Sequence, residues 1–357
     1  MIRVLIVNDS LVARETLKRI IRSDPGMEIA GIAGGGEEGI RLARCCGPDV
    51  ILMDIRMPNV NGVDAVKEIM LRSPAPILIV TASLKAHMPH IFDCLSFGAL
   101  EVVKTPLAEA GNELLQRIRI VANLKDAVQK GHGLRVADVA APQMFSRAPG
   151  VVSKFSARNI IAIGASTGGP YALLKILQEL PANLNAAMVL VQHMDAEFVS
   201  GLAEWLTGNS KFKVIPARDK DPLICGVVYL AAKALDMIVT EEFLLTYQKT
   251  KPGSFHVPSI DVTFESVASV YGANAIGVLL TGMGTDGARG LQSIRSAGGF
   301  TIAQDEMTSL IYGMPKAAKE MGSADVIVPL DKIAGKISGS LTLQQKERFP
   351  SFKSGPK

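Results

Sequence analysis

The chain has 357 residues, of which 48% are hydrophobic and 20% are charged. This length and composition predict a soluble globular protein with two hydrophobic cores. No apolar run approaches the ~20 residues of a transmembrane helix, and the first residues resemble a strand rather than a signal peptide. The four cysteines have neither metal-ligand nor disulfide spacing, so we expect a reducing, cytoplasmic location.

The formal net charge of +4 could indicate nucleic-acid binding, so the positions of the basic residues must be considered. The basic excess lies in residues 117–158 and 331–357, whereas the regions before and between them are acidic. No basic face is interleaved with aromatic residues. The sequence therefore predicts neither a nucleic-acid partner nor membrane insertion.

Apolar strand patterns alternate with helical patterns in the first third of the chain. The predicted strands are RVLIVND, MEIAGIA, VILMD, ILIVTA and LEVVK. Fully apolar strands that alternate with helices indicate a parallel sheet covered on both faces. In such a sheet, ligands bind outside the carboxyl ends of the strands.

Three polar residues follow these strands: Asp9, Asp54 and Thr81. Each aspartate taken singly is typical of a turn or a helix cap. Two carboxylates placed together are costly unless a hard cation neutralises them, so a magnesium site beside a phosphorylatable Asp54 is the functional interpretation.

Four segments of this region resemble response-regulator receiver domains: VNDS, MDIRMPNVNGVDAV, TA and GALEVVKTP. The resemblance covers residues 1–120 and implies a flavodoxin-like, doubly wound domain. It also implies that Asp54 is the phosphoacceptor, that Asp9 and Asp54 bind magnesium, and that Thr81 is the switch hydroxyl.

Two positions depart from that family's pattern. Asn8 replaces one residue of an acidic pair, and Thr105 stands where a lysine usually precedes Pro106. Lys104 comes one place early, and a shift of one residue along a strand points a side chain to the other face. We expect phosphorylation of Asp54 with one negative charge fewer at the metal site and without the usual cation beside the phosphate.

Residues 121–155 lose periodicity after one continuing helix and are predicted to form an interdomain linker. Composition alone fits a hinge and a passive spacer equally well. Three histidines in these parts of the chain attract no functional role: His87 and His90 are predicted in a surface loop, and His132 is predicted to be solvated.

The segment IIAIGASTGGPYALLKIL joins a β-branched strand to a helical pattern through a Gly-rich turn that holds Ser166. Free backbone N–H groups and the positive end of the helix dipole suit a developing oxyanion at that point. Gly164, Ser166 and Gly168 fit the G-x-S-x-G spacing of a nucleophile turn. Such turns also bind phosphate or merely pack, whereas a dinucleotide site fits less well because no acidic residue follows about twenty positions on.

His193 ends the strand AAMVLVQ, and Asp286 lies in the Gly-rich loop after IGVLL. Serine, imidazole and carboxylate at the carboxyl ends of strands are the groups needed for acyl transfer. Asp286 would orient the imidazole, His193 would take the hydroxyl proton and Ser166 would attack. A structural histidine and a turn aspartate remain the alternatives, and His256 is a competing base.

The chain order Ser, His, Asp differs from the Ser, Asp, His order of α/β-hydrolases. Five motifs in this region, GASTGGP, VQHM, PSIDVTFESVA, LTGMGTDGARG and IYGMPKAA, resemble the catalytic domain of chemotaxis-type protein-glutamate methylesterases. The resemblance covers residues 156–345 and implies a Rossmann-like, mostly parallel-sheet domain, followed by a basic tail at 346–357.

This resemblance implies a Ser166, His193 and Asp286 triad that needs no cofactor. Thr167 and Met283 would line the site, and we hypothesise that their backbone amides stabilise the oxyanion. His256 and Asp261 then become structural or substrate-lining residues.

The implied reaction is hydrolysis of γ-glutamyl methyl esters on chemoreceptor signalling helices, together with deamidation of receptor glutamines. The implied partners are methylated chemoreceptors and a chemotaxis-type histidine kinase that donates phosphate, and a monomer is expected. Two alternatives remain: a signalling adaptor with a degenerate receiver and a constitutive or minor esterase, and a serine hydrolase that acts on small-molecule esters.

Overall fold

The computed structural model describes residues 1–81, 88–105, 111–129, 157–250 and 257–348. The described residues form two compact units, and each is presented by itself. The linker predicted at 121–155 falls outside the described residues from position 130 onward, as does the tail from position 349.

The first unit alternates strands and helices from its first residues. Its elements are β1 (Ile2–Val7), α1 (Leu11–Arg22), β2 (Met27–Ala33), α2 (Gly36–Cys46), β3 (Val50–Met53), α3 (Gly62–Arg72), β4 (Ile77–Thr81), α4 (Met88–Ser96), β5 (Glu101–Lys104), α5 (Gly111–Ala122) and α6 (Lys125–Gln129). The strands form one parallel sheet in the order β2-β1-β3-β4-β5. This is the predicted doubly wound, flavodoxin-like order.

The segment that holds His90 corrects one prediction. It belongs to helix α4, not to a surface loop. Met88, Ile91, Phe92 and Leu95 recur at helical spacing and are buried, and Pro89 is tolerated because it lies in the first turn. His87 lies outside the described residues.

The second unit contains a larger sheet. Its elements are β6 (Ile160–Ala165), α7 (Gly169–Glu179), β7 (Ala187–Gln192), α8 (Ala196–Asn209), β8 (Lys213–Pro216), β9 (Val227–Leu230), β10 (Asp236–Val239), β11 (Leu245–Gln248), α9 (Ile260–Tyr271), β12 (Ala275–Leu279), α10 (Ala288–Ser296), β13 (Phe300–Gln304), α11 (Met314–Glu320), β14 (Val326–Val328) and α12 (Leu330–Arg348).

Seven of these strands form a parallel sheet in the order β14-β13-β12-β6-β7-β9-β8, and β10 pairs with β11 in an antiparallel hairpin. The predicted mostly parallel sheet is confirmed. β6, β7 and β12 are buried along their whole length, as expected for central strands covered by helices on both faces. Their carboxyl ends therefore meet at one edge of the sheet.

Helix–sheet packing forms the core of the second unit, with large buried side chains that include Phe264 and Tyr229. Within the described residues, no helix is both long enough and apolar enough to cross a bilayer.

Candidate active site

The three predicted site residues of the second unit follow three neighbouring strands. Ser166 follows β6, His193 follows β7, and Asp286 lies in the loop between β12 and α10. β6 pairs with β12 on one side and with β7 on the other. The sheet order thus brings the three segments to the same edge from distant parts of the sequence.

His193 and Asp286 are in direct contact. The distance between His193 Nε2 and Asp286 Oδ2 is 2.9 Å, and the two side chains are 11% and 7% exposed. Since both groups are largely shielded from water, this hydrogen bond fixes the plane of the imidazole more firmly than a surface contact would.

The amino end of α9 holds the Asp286 carboxylate. Backbone N–H groups of Ile260 and Asp261 donate to it at 2.8 and 3.0 Å, and the Ser259 hydroxyl donates at 3.0 Å. Burial favours a raised pKa, but the hydrogen bonds from His193, Asp261 and Ile260 outweigh it and lower the pKa of Asp286 to about 2. The carboxylate is therefore charged throughout the physiological range.

A charged carboxylate can only accept hydrogen bonds, so Nε2 of His193 is the donor in the pair with Asp286. In the neutral imidazole the lone pair then lies on Nδ1. The contact with Asp286 thus selects one tautomer, and Nδ1 becomes the nitrogen that can accept a proton.

Backbone hydrogen bonds fix the position of Ser166. Its N–H donates to Thr281 O at 3.0 Å, and its carbonyl accepts from Gly169 N at 2.8 Å. β6 and β7 are in register up to Ala165 opposite Gln192, and His193 N donates to Ala165 O at 3.0 Å. Ser166 and His193 therefore occupy equivalent positions, one residue past the ends of adjacent strands about 4.8 Å apart.

The turn after Ser166 begins helix α7. Gly168 caps this helix with a φ of 83°, a left-handed conformation that favours glycine. The Thr281 hydroxyl donates to Thr167 O at 3.0 Å, which fixes the next peptide. Met283, in the loop that also carries Asp286, is 51% exposed.

A close approach joins the serine turn to the loop after β12. A Cβ added to Gly282 would lie 2.7 Å from Ser166 Cβ and 2.4 Å from Met314 Sδ. Only glycine leaves room for this contact, because every other side chain would push the two loops apart. Thr167 and Met283, which the sequence predicts to line the site, lie on these two loops.

The Asp261 side chain joins α9 to the start of α10. Its carboxylate accepts from Gly290 N at 2.8 Å and from Arg289 Nε at 3.0 Å, and its side chain is only 6% exposed. These contacts support a structural role for Asp261 over the substrate-lining role that the resemblance also allowed. His256 lies outside the described residues.

Sequence reasoning missed two groups that support the site. Ser259 caps α9 and donates to Asp286; the Ser before an apolar helix pattern is a capping signal, but nothing local indicates its partner. Gln192 ends β7 and contacts the carbonyl groups of Ser166 and His193. A single polar residue at the end of a buried strand gives no local signal for such a contact.

The first unit has a cavity of about 720 Å³ at the carboxyl edge of its sheet, where the sequence predicts a phosphorylation site. It is lined by Asp9, Ser10, Asp54, Ile55, Arg56, Met57, Pro58, Asn61, Thr81 and His90. All three predicted residues of this site thus border one cavity. His90 also lines it, which the sequence did not predict.

Asp54 differs from Asp286 in its electrostatics. Burial is the largest cause that raises its pKa, and the charge of Asp9 raises it further. Backbone N–H groups of Ile55 and Arg56 oppose this shift, and Ile55 N donates to Asp54 Oδ1 at 2.7 Å. The net effect is a raised pKa, so ionised Asp54 is poorly compensated by its protein surroundings.

Magnesium fits this donor set. Magnesium binds to one or two carboxylates and keeps several waters, which the cavity can hold. Asp9 and Asp54 line the same cavity and would be its carboxylate ligands. The raised pKa of Asp54 is what a cation would reverse.

The structure shows where the side chains lie at the two positions that depart from the receiver pattern, Asn8 and Thr105. Asn8 is 3% exposed, and its Oδ1 accepts from Ser10 N at 2.8 Å, so it stabilises a turn. Lys104 is exposed and pairs with Thr81 across the sheet. Neither Lys104 nor Thr105 is among the described residues that line the cavity.

The fold and the two sites define the class: a receiver-type α/β unit followed by an α/β unit that carries serine, histidine and aspartate at its sheet edge. The chain matches the family model for the response regulator receiver domain over residues 4–119 and that for CheB methylesterase over residues 161–337. It belongs to the CheB methylesterase family, and the predicted enzyme class is confirmed.

Relatives named protein-glutamate methylesterase/protein-glutamine glutaminase match this chain over almost its whole length. The one from Mesorhizobium japonicum is 40% identical over 336 residues, which cover 94% of this chain and 97% of the relative. The relative numbered 2 from Cupriavidus metallidurans is 42% identical over 341 residues, with coverage of 94% and 97%. The crystal structure of the Thermotoga maritima CheB methylesterase catalytic domain is 35% identical, covers 52% of this chain and 98% of that chain, and has a TM-score of 0.49.

Proposed function

We propose that this protein hydrolyses γ-glutamyl methyl esters on chemoreceptor signalling helices and also deamidates receptor glutamines. The observation that carries the proposal is the 2.9 Å contact between His193 and Asp286, at the sheet edge where Ser166 follows the adjacent strand. The names of the relatives supply the substrate class.

In the proposed acylation step, Ser166 Oγ attacks the ester carbonyl while His193 Nδ1 takes the hydroxyl proton. Asp286 remains ionised and stabilises the imidazolium that forms. The protonated His193 then gives the proton to the leaving methoxide, and methanol departs. The acyl-enzyme bond between Ser166 and the glutamyl group is formed as the ester bond breaks.

Deacylation reverses these roles. His193 takes a proton from water, which attacks the acyl-enzyme, and Ser166 leaves as its hydroxyl when the proton returns. Backbone N–H groups of Thr167 and Met283 are proposed to stabilise the oxyanion in both steps. With a glutamine side chain, ammonia takes the place of methanol as the leaving group.

Specificity must come from the protein around the ester. A methyl group offers few contacts, and one methylene or methyl in a pocket discriminates by only about 1–3 kcal/mol. We therefore propose that the substrate docks as a helix across the open edge of the sheet. The exposed Met283 side chain supports this, because flexible methionines suit adaptable binding surfaces.

The first unit is proposed to regulate the esterase through phosphorylation of Asp54 by a chemotaxis-type histidine kinase, with magnesium bound by Asp9 and Asp54. Magnesium would neutralise charge on the phosphoryl group during transfer. Thr81 lines the same cavity, which supports its proposed role as the switch hydroxyl. The protein is proposed to act in the cytoplasm as a monomer, with domain boundaries at 1–120 and 156–345.

The test is methanol release from membranes that contain methylated chemoreceptors. We expect Ser166→Ala to abolish release, whereas Ser296→Ala, a matched change at an exposed position of α10, should leave it unchanged. Release that persists in Ser166→Ala would remove Ser166 from the mechanism. Faster turnover of soluble short-chain esters than of receptors would favour a small-molecule hydrolase.

One observation favours a second candidate, an adaptor with a degenerate receiver and a constitutive or minor esterase. Asn8 Oδ1 accepts a hydrogen bond from Ser10 N within a turn, and the neutral side chain adds no charge to the metal site. Acetyl phosphate with magnesium should stimulate methanol release from wild-type protein and not from Asp54→Asn. Equal rates with and without acetyl phosphate would support the adaptor.

A further inference from the structure

The side chain of Gln192 joins the two loops that carry the nucleophile and the base. Its Nε2 donates to Ser166 O at 2.8 Å and to His193 O at 3.0 Å. A primary amide has two N–H donors, so one donor serves each loop. Gln192 itself is 3% exposed and does not face solvent.

The orientation of this amide is determined by its neighbours. If the amide were turned over, its oxygen would face two carbonyl oxygens, which is repulsive. As it stands, Oε1 is buried and has no hydrogen-bond partner among the described residues. A buried polar atom without a partner costs about 1–3 kcal/mol, so an apolar side chain of the same shape would be a simpler way to fill this space.

Gly169 gives the amide the room that it needs. A Cβ added to Gly169 would lie 1.9 Å from Gln192 Oε1 and 2.9 Å from its Cδ. Any other residue at position 169 would have to displace Gln192. Glycine at position 169, the first residue of α7, therefore leaves space for the Gln192 side chain. The N–H of Gly169 also donates to Ser166 O.

We propose that Gln192 is a positioning residue, which holds Ser166 and His193 at the separation needed for proton transfer. This inference rests on the proposed function, since it assigns a task within that reaction. Gln192 acts through two backbone carbonyls and does not touch the substrate. Misplacement of reacting groups by about 1 Å can cost about 100-fold in rate.

Asn159 provides a matched control at the opposite edge of the same strand pair. Its Nδ2 donates to Asn185 O at 3.1 Å, and its side chain is buried. This contact joins the segments that precede β6 and β7, just as Gln192 joins the segments that follow them. The two amides share a structural task, but only Gln192 lies at the proposed site.

The experiment compares full-length wild type, Gln192→Met, Gly169→Ala and Asn159→Leu. Methanol release from methylated receptor membranes gives kcat and KM, and the rate of covalent labelling by a fluorophosphonate reports directly on the reactivity of Ser166. We expect Gln192→Met to lower kcat and the labelling rate by about 100-fold with KM within about twofold, and Gly169→Ala to lower both in the same direction. Asn159→Leu should lower the unfolding temperature without changing either rate.

Several results would overturn the inference. One is a Gln192→Met variant that folds and keeps kcat and labelling within about threefold of wild type. Another is an equal loss of both rates in Asn159→Leu, which would make the Gln192 effect a general consequence of loosening the sheet. If Gln192→Met does not fold, Gly169→Ala decides the question. This change moves the side-chain amide of Gln192 without substituting Gln192 itself. Absence of methanol release and labelling from wild type would instead contradict the proposed function.

Discussion

Asp54 and Asp286 occupy similar places and have opposite electrostatics. Each lies past the carboxyl end of a buried parallel strand, each is largely buried, and burial is the largest influence on each pKa. The pKa of Asp54 is nevertheless raised, whereas that of Asp286 is lowered to about 2. Burial alone therefore does not decide the charge of a carboxylate at the edge of a sheet.

The hydrogen-bond donors and the neighbouring charge account for the difference. Asp286 accepts from His193, from the Ser259 hydroxyl and from two N–H groups at the amino end of α9. Asp54 accepts from backbone N–H groups of its own loop while Asp9 opposes its ionisation. The protein itself compensates the negative charge of Asp286, whereas Asp54 is suited to binding an added cation or a phosphoryl group.

Replacing Asp286 by asparagine should have the largest effect. The amide keeps the shape but loses the charge that selects the His193 tautomer, so we expect kcat to fall by on the order of 10³–10⁴-fold. Methanol release measures this loss. Asp261→Asn is the matched control: it alters a buried carboxylate on α9 but should lower stability more than kcat. A loss of less than tenfold in Asp286→Asn would remove the carboxylate from the proton relay.

The low pKa of Asp286 predicts acid sensitivity of the second unit. Its pKa falls from 3.8 to about 2 on folding, so the ionised form is stabilised. This contribution is fully present above about pH 4 and is lost as the pH falls toward 2, with a magnitude of about 2 kcal/mol.

Urea unfolding followed by fluorescence tests this prediction. The single tryptophan, Trp205, is buried in α8 of the second unit and reports on that unit. The free-energy difference between wild type and Asp286→Asn should shrink between pH 4 and pH 2, because other carboxylates titrate equally in both proteins. A difference that is independent of pH would contradict the compensation described for Asp286.

Local sequence patterns predicted the positions of the site residues because the signals are themselves local. Apolar strands, Gly-rich turns and the alternation of strand and helix located Ser166, His193, Asp54 and Thr81 at the ends of strands. The flavodoxin-like order of the first sheet was implied by the resemblance to receiver domains, and the shared edge of the site residues followed from the general rule that ligands bind at the carboxyl ends of parallel strands.

Contacts between distant segments could not be predicted in this way. The N–H groups that lower the pKa of Asp286 belong to Ile260 and Asp261, and no pattern near Asp286 indicates them. Gln192 looks like the last residue of a strand until the serine turn is placed beside it. Asn8 was recognised as a missing charge, but its hydrogen bond to Ser10 depends on the conformation of the loop.

Magnesium should stabilise the first unit and not the second. A ligand that binds only the folded state at ten to a hundred times its Kd contributes about 1–3 kcal/mol. We expect magnesium chloride to raise the unfolding temperature of wild type in calorimetry, and Asp9→Asn to remove this increase. Asp126→Asn changes an exposed aspartate of α6 and should preserve it. An undiminished increase in Asp9→Asn would place the ion elsewhere.

The smallest expected effect compares Asp54 with Asp49, which lie at the two ends of β3. The pKa of Asp49 is lowered despite burial, because Lys125 and the backbone N–H of Arg3 donate to it. Without magnesium at pH 7, Asp54→Asn removes a poorly compensated charge and should raise the free energy of unfolding by less than about 1 kcal/mol. Asp49→Asn removes a compensated charge and should lower it by a similar amount. Urea unfolding followed by circular dichroism measures both.

Magnesium should reverse the order of the unfolding free energies of wild type and Asp54→Asn, because the Asp54 carboxylate binds the ion and the asparagine amide does not. A loss of stability in Asp54→Asn without magnesium would mean that the loop donors already compensate Asp54, and the contrast with Asp286 would then be one of degree.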